Sequence, residues 1–144
     1  MSAEAKTFNY AVSLDRDGAV SSSEGGSSIA SEEAWSPEHL VLAGLARCTL
    51  TSLRYHCVRA SITLASSSTA RGTVTRRESD GRFAFVEIAF EADVSFDPKP
   101  DDETIADLLA KAERDCFVGA SLTKAPDYTW TLNGRAVRPR AAPS

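Results

Sequence analysis

Three cysteines, Cys48, Cys57 and Cys116, are the side chains of this sequence best able to do covalent chemistry. A thiol serves as a small core hydrophobe, as a metal ligand or, once ionised, as a nucleophile. Cys57 lies nine residues beyond Cys48. On one helix that spacing is about 180° of rotation and about 13 Å of rise. A disulfide needs Cα atoms within about 7 Å, so Cys48 and Cys57 cannot pair on a straight helix. If two cysteines cooperate, the pair is Cys48 with Cys116.

A nucleophilic Cys48 needs help. At an unperturbed pKa near 8.5, only about 3% of a thiol is thiolate at pH 7. Mid-helix, the macrodipole contributes little, because it acts at helix ends. Arg47 is adjacent but projects about 100° away around the helix. An arginine from a separate loop is the better geometric candidate, and Arg16 in the turn Asp15-Arg16-Asp17-Gly18 is one.

Other chemistries find less support. With no Cys-x-x-Cys and no paired His spacing, no metal is expected. His56 is about 12 Å of helix rise from Cys48, too far for a Cys–His hydrolase. Gly25-Gly26 lacks the Lys and the helix start of a phosphate loop. A formal charge of −4 and a pI near 5.2 leave no electrostatic footprint for nucleic acid. There is no apolar run near 18 residues to span a membrane. Met1 to Tyr10 has no basic start and apolar core of a secretory signal, and the cysteine count is odd. The expectation is a cytoplasmic chain with free thiols.

The elements must carry these thiols. The 144 residues read as one domain, with residues 1–6 and 135–144 as loose termini. Phe8, Tyr10, Val12 and Leu14 alternate like a half-buried strand, and Ala19-Val20 restarts one after the turn. Ser36-Pro37 opens a long helix through about Arg59. Its first half is apolar on nearly every side, so it is a buried helix, and a chain this short needs a second copy of itself to cover it. Ser61 to Leu64 is a short β-prone stretch, and the Ser-rich runs read as loops. Ala70–Glu78 and Arg82–Phe96 form a hairpin around Asp80-Gly81, with a bulge near Phe85, where the alternation changes phase. Asp101 or Asp102 caps a second helix whose apolar stripe ends in Cys116. A short turn or helix follows through Leu122. Tyr128, Trp130 and Leu132 make a last strand, closed by Asn133-Gly134. Gly44, one turn before Cys48, points to close helix packing. Strands, long helix, strands, helix, strand is an α+β order.

Three motifs in this order resemble one family. Ser36-Pro37-Glu38-His39-Leu40, Ala43-Gly44 and Cys48-Thr49 are similar to the long-helix motif of the OsmC/Ohr peroxidases (osmotically inducible protein C and organic hydroperoxide resistance proteins). Ala112-Glu113-Arg114-Asp115-Cys116 resembles the family's second-cysteine motif, and Leu14 to Gly18 its arginine loop. The match runs roughly from Phe8 to Leu132, with Phe117 standing where the family commonly has Pro. The resemblance implies an OsmC-like fold of antiparallel sheets around a long buried helix, in an intertwined homodimer. It implies a thiol peroxidase without metal, haem or bound cofactor: Cys48 peroxidatic, Cys116 resolving, Arg16 activating the thiolate, and Glu38 orienting Arg16. Organic hydroperoxides are the implied substrates, with Leu45, Leu50 and Phe117 as apolar neighbours. An external dithiol, the lipoyl group of a partner protein, is the implied reductant. The alternative is an OsmC-like dimer with inert thiols that binds apolar small molecules. Glu38 stands about 15 Å along a straight helix from Cys48, so it is expected to serve the site of a partner chain. Cys57 has no assigned role.

Overall fold

In the computed structural model residues 5–31 and 34–141 are described, and the chain falls into two units, residues 1–37 and 38–144. In the first, the Asp15 carboxylate accepts the amides of Asp17 and Ala19 at 2.9 Å each, and Gly18 takes φ +85°. This turn joins β1 (Val12–Leu14) to antiparallel β2 (Val20–Ser22). The strand is shorter than its alternation suggests. Phe8, Tyr10, Val12 and Leu14 are all exposed, because a lone two-stranded hairpin has no second layer to bury them. Residues 1–4 of the segment expected to be loose lie outside the described residues, as do 142–144.

Pro37, the last residue of the first unit, starts α1 (Pro37–Arg59), which runs unbroken for 23 residues into the second. Next come β3 (Thr63–Arg76) and β4 (Phe83–Asp97). Asp80 accepts the Arg82 amide at 3.1 Å and pairs with Arg77, closing their turn. The β-prone piece at Ser61–Leu64 is not separate, and Ser66-Ser67-Ser68 is not a loop. Both belong to β3, because β4 offers a ladder from Thr63 opposite Asp97 to Arg76 opposite Phe83. The bulge falls where expected: Thr73 faces Glu87 and Val74 faces Phe85, so Val86 is the extra residue.

The Asp101 carboxylate caps α2 (Asp102–Arg114) by accepting the Thr104 amide at 2.8 Å. Then come α3 (Phe117–Ser121) and β5 (Asp127–Leu132). Because two helices cross over between β4 and β5, those strands pair in parallel, so the larger sheet is mixed rather than purely antiparallel. Arg135–Val137, within the segment expected to be loose, forms a strand. Asn133 at φ +50° and Gly134 at φ +85° form the tight turn that right-twisted hairpins favour, and β6 (Arg135–Val137) folds back on β5. Beyond it, the Arg140 amide donates to the Ala106 carbonyl at 2.9 Å.

The sheet order is β3-β4-β5-β6. Ile88, Phe90, Ala92, Val94 and Phe96 alternate along β4 toward the helices, and the last four share the main core with Leu53 and Cys57 of α1, Leu109 of α2 and Trp130 of β5. The long helix is not buried on every side within one chain. Leu45, Thr49, Ser52, Leu53 and Cys57 are buried, whereas Val41, Tyr55 and Val58 are 37%, 57% and 67% exposed. One sheet can cover only one stripe of a helix.

Candidate active site

Cys116 is not the end of α2 but the cap of α3. Asp115 closes α2, and Cys116, with φ −77° and ψ 106°, accepts the Gly119 amide on its sulfur at 3.4 Å. Two contacts fix this corner against α1. His56 Nε2 lies 2.8 Å from Asp115 Oδ2, and Arg114 grips the same carboxylate at 2.8 and 2.9 Å. Thr49 Oγ1 lies 3.3 Å from Cys116 Sγ.

The result is that Cys48 and Cys116 meet. Both are free thiols, and Cys48 packs against the cluster that holds Cys116. Cys116 is fully buried, whereas Cys48 is half-buried. The backbone amides of Val118 and Phe117 lie near enough to Cys48 to pull its thiol down. These donors come from the first turn of α3, so a residue in the middle of its own helix sits at the start of another. Spacing along α1 cannot reveal the start of a second helix. Burial pushes the Cys48 thiol up from its ordinary value, the two amides pull it down and the neighbouring Cys116 raises it; the net direction is up. A neutral Cys48 is therefore the resting form in this arrangement.

The surroundings are hydrocarbon. Leu45, Ile88 and Cys116 form a second buried cluster, against which Leu42, Cys48, Phe85, Val118 and Leu122 pack. Of the expected apolar neighbours only Leu45 belongs to it. Leu50 packs on the main core instead, and Phe117 is 57% exposed. Both follow from local geometry, since Leu50 points to a different side of α1 and the first residue of α3 faces outward. Thr49 and Tyr128 were missed as site residues. The one available signal was a hydroxyl beside a cysteine on an apolar helix.

The remaining candidates sit apart from the two sulfurs or in the other unit. Glu38 is exposed in the first turn of α1, and the helix is continuous, so about 15 Å of rise separates it from Cys48 of its own chain. Arg16 is exposed in the β1–β2 turn of the first unit. Arg47 is exposed. Cys57 is fully buried in the main core, and burial, opposed by Arg54, pushes its thiol up to about 11, so it is a neutral core residue. A Cβ on Gly44 would meet nothing within 4 Å, so no packing inside this chain requires that glycine. Among the described residues no three His, Cys, Asp or Glu converge as a metal site, and no helix is long and apolar enough to cross a membrane.

The helix-on-mixed-sheet fold has known relatives. Residues 30–131 match the family model for OsmC-like proteins, and the chain belongs to that family. Among solved structures it is similar to an OsmC-like protein of unknown function from Vibrio cholerae, with a TM-score of 0.72 and 14% identity, covering 88% of this chain and 99% of that one. The organic hydroperoxide resistance protein OhrB of Bacillus subtilis follows at 0.55 and 21%, covering 88% and 98%. An organic hydroperoxide resistance protein of Elizabethkingia anophelis gives 0.58 and 22%, covering 90% and 96%. At these identities the likeness shows the fold. No curated protein sequence matches the chain.

Proposed function

We propose that this protein is a cytoplasmic thiol peroxidase that reduces organic hydroperoxides to alcohols. The observation that carries the reading is the contact between a half-buried Cys48 and a buried Cys116 inside an apolar cluster. The Cys48 thiolate attacks the distal peroxide oxygen. The O–O bond breaks, the alkoxide takes a proton and leaves as alcohol, and Cys48 becomes a sulfenic acid. The Cys116 thiol then attacks that sulfur. A Cys48–Cys116 disulfide forms, and the hydroxyl departs as water with the Cys116 proton. An external dithiol, the lipoyl group of a carrier protein in this reading, returns two electrons and two protons. Leu42, Phe85 and Val118 suit a hydrocarbon peroxide better than hydrogen peroxide.

A thiol pushed up by burial must be ionised by a cation, and Arg16 is proposed for that task. A homodimer completes the reading. One stripe of α1 carries Val41, Gly44, Cys48, Tyr55 and Val58, and it is small or uncovered in the single chain. A second α1 crossing there would explain the open glycine and bring Glu38 of one protomer toward the site of the other, where it would orient Arg16. The direction of the Cys48 shift favours one second reading, an OsmC-like dimer with inert thiols that binds apolar molecules.

One assay separates the two. Loss of cumene hydroperoxide is followed with and without dihydrolipoamide. Turnover that requires the dithiol, vanishes in Cys48→Ser and leaves a trapped sulfenic acid in Cys116→Ser supports the peroxidase. Unchanged peroxide consumption in Cys48→Ser removes it.

A further inference from the structure

Three polar groups surround Cys116, and the mechanism above uses none of them. Thr49 is wholly buried, one residue past Cys48. Its single hydroxyl proton goes to the Leu45 carbonyl at 2.9 Å. The same oxygen lies 3.3 Å from Cys116 Sγ, so in the reduced protein the Cys116 S–H donates to Thr49. The Tyr128 hydroxyl, on β5, lies beside both Thr49 and Cys116. Its ring is held edge-on against Phe90, with centroids 5.6 Å apart. Burial first, then the nearby Cys116, pushes Tyr128 up to about 12, so its hydroxyl keeps its proton at neutral pH. The third group is the Gly119 amide, at 3.4 Å from the sulfur.

The space for this arrangement comes from Gly119. A Cβ there would lie 2.6 Å from Tyr128 Oη and 3.4 Å from Cys116 Sγ. Only a residue without a side chain lets the phenol come so close to this turn of α3.

Resting on the reading of Cys48 and Cys116 as a redox pair, we propose that Thr49 and Tyr128 are positioning residues for Cys116, aiming its sulfur at Cys48 and supplying two O–H donors to the thiolate that departs when the disulfide is opened. Half-buried Cys48 is the sulfur that an external dithiol can reach. Its thiolate bonds to Cys48, the Cys48–Cys116 bond breaks, and the electron pair leaves on Cys116. The second thiol of the reductant then displaces Cys48, so the dithiol is oxidised by two electrons and both cysteines end as thiols. Leaving-group stability controls the rate of the first displacement. When Cys116 departs, the Gly119 N–H and the Tyr128 O–H already face it. The Thr49 hydroxyl joins them by turning its proton from the Leu45 carbonyl, which keeps its bond from the helix amide.

The test reads the disulfide and not the peroxide reaction. Wild type, Thr49→Val, Thr49→Ser and Tyr128→Phe are oxidised with diamide and then reduced with dithiothreitol at pH 7. The fraction of Cys48–Cys116 disulfide is read by mass after an alkylation quench. Followed over time by the same quench, Thr49→Val and Tyr128→Phe should each be reduced by dithiothreitol about tenfold more slowly, the size of one hydrogen bond to a charged acceptor. Thr49→Ser should stay within twofold of wild type. Gly119→Ala, which displaces the phenol without removing it, should move in the same direction as Tyr128→Phe. If Thr49→Val and Tyr128→Phe both stay within twofold of wild type, or if Thr49→Ser shifts as far as Thr49→Val, the proposal is overturned. So it is if diamide forms no Cys48–Cys116 disulfide. Because diamide makes the disulfide, the measurement holds even if cumene hydroperoxide is never consumed, and the two readings fail separately.

Discussion

Cys48 shows how one residue takes opposing instructions from its surroundings. Hydrocarbon raises its thiol, the amides of Val118 and Phe117 lower it, and the raised direction wins. A group raised above its ordinary value ionises only as pH climbs through and beyond that value, so thiolate chemistry should strengthen steadily from pH 6 to pH 9. If Arg16 supplies the cation, Arg16→Ala should cut the peroxide rate at pH 7 by tenfold or more, with the gap narrowing toward pH 10 as hydroxide does the work of the guanidinium. Stopped-flow oxidation of Cys48 across that range checks both statements, and a pH-independent deficit in Arg16→Ala would count against an ionising role. Cys57, neutral and enclosed, should remain unmodified under the same peroxide exposure, as peptide mass mapping can read.

Between elements, the corner that joins α2 to α3 decides whether the sulfurs meet. Asp115 is the knot. Arg114 holds its carboxyl down to about 2, with burial opposing and His56 assisting. A carboxyl lower in the folded state than its unfolded value near 3.9 contributes stability that is fully present above about pH 4 to 5 and is lost as pH falls toward 2. Asp115→Asn should therefore be less stable than wild type in urea at pH 6, and the difference should shrink between pH 4 and pH 2. The same variant should loosen Cys116 and slow disulfide formation with diamide. Where α1 meets the sheet, Leu53 is fully buried, and Leu53→Ala should cost about 2–5 kcal/mol in urea unfolding.

The whole molecule poses a question of coverage. Tyr55 and Val58 are exposed on α1, and in the first unit Phe8, Tyr10, Val12 and Leu14 are exposed as well. Dimerisation through α1 predicts a sedimenting mass twice that of the chain. Val58→Asp should halve that mass and lose peroxidase activity together, because each site would then lack the other chain's Glu38. A Val58→Asp monomer with full activity would refute the shared site. In such a dimer Glu38→Gln should act on activity without altering mass, which analytical ultracentrifugation beside the peroxide assay would show.

Much of this protein is written in local chemistry. Ser36-Pro37 starts α1 where a cap and a ring without an N–H must stand, Asp101 caps α2, and the phase change at Phe85 marks the bulge. Helix rise rules out Cys48 with Cys57, and the family resemblance nominates Cys48 with Cys116. These were legible because each depends on neighbours a few residues away. Three features were not. The parallel pairing of β4 with β5 comes from a crossover of two helices, the continuity of β3 from the partner strand beside it, and the ordering of Arg135 to Val137 from a turn that needs β5 as its template. The site itself divides the same way. Residue types and spacing nominate the two sulfurs. Only the folded chain could decide that Cys48 lies against the first amides of α3, and that Thr49 and Tyr128 close around Cys116. The Thr49–Cys116 contact joins residues 67 positions apart, and no periodicity records a distance that exists only after packing.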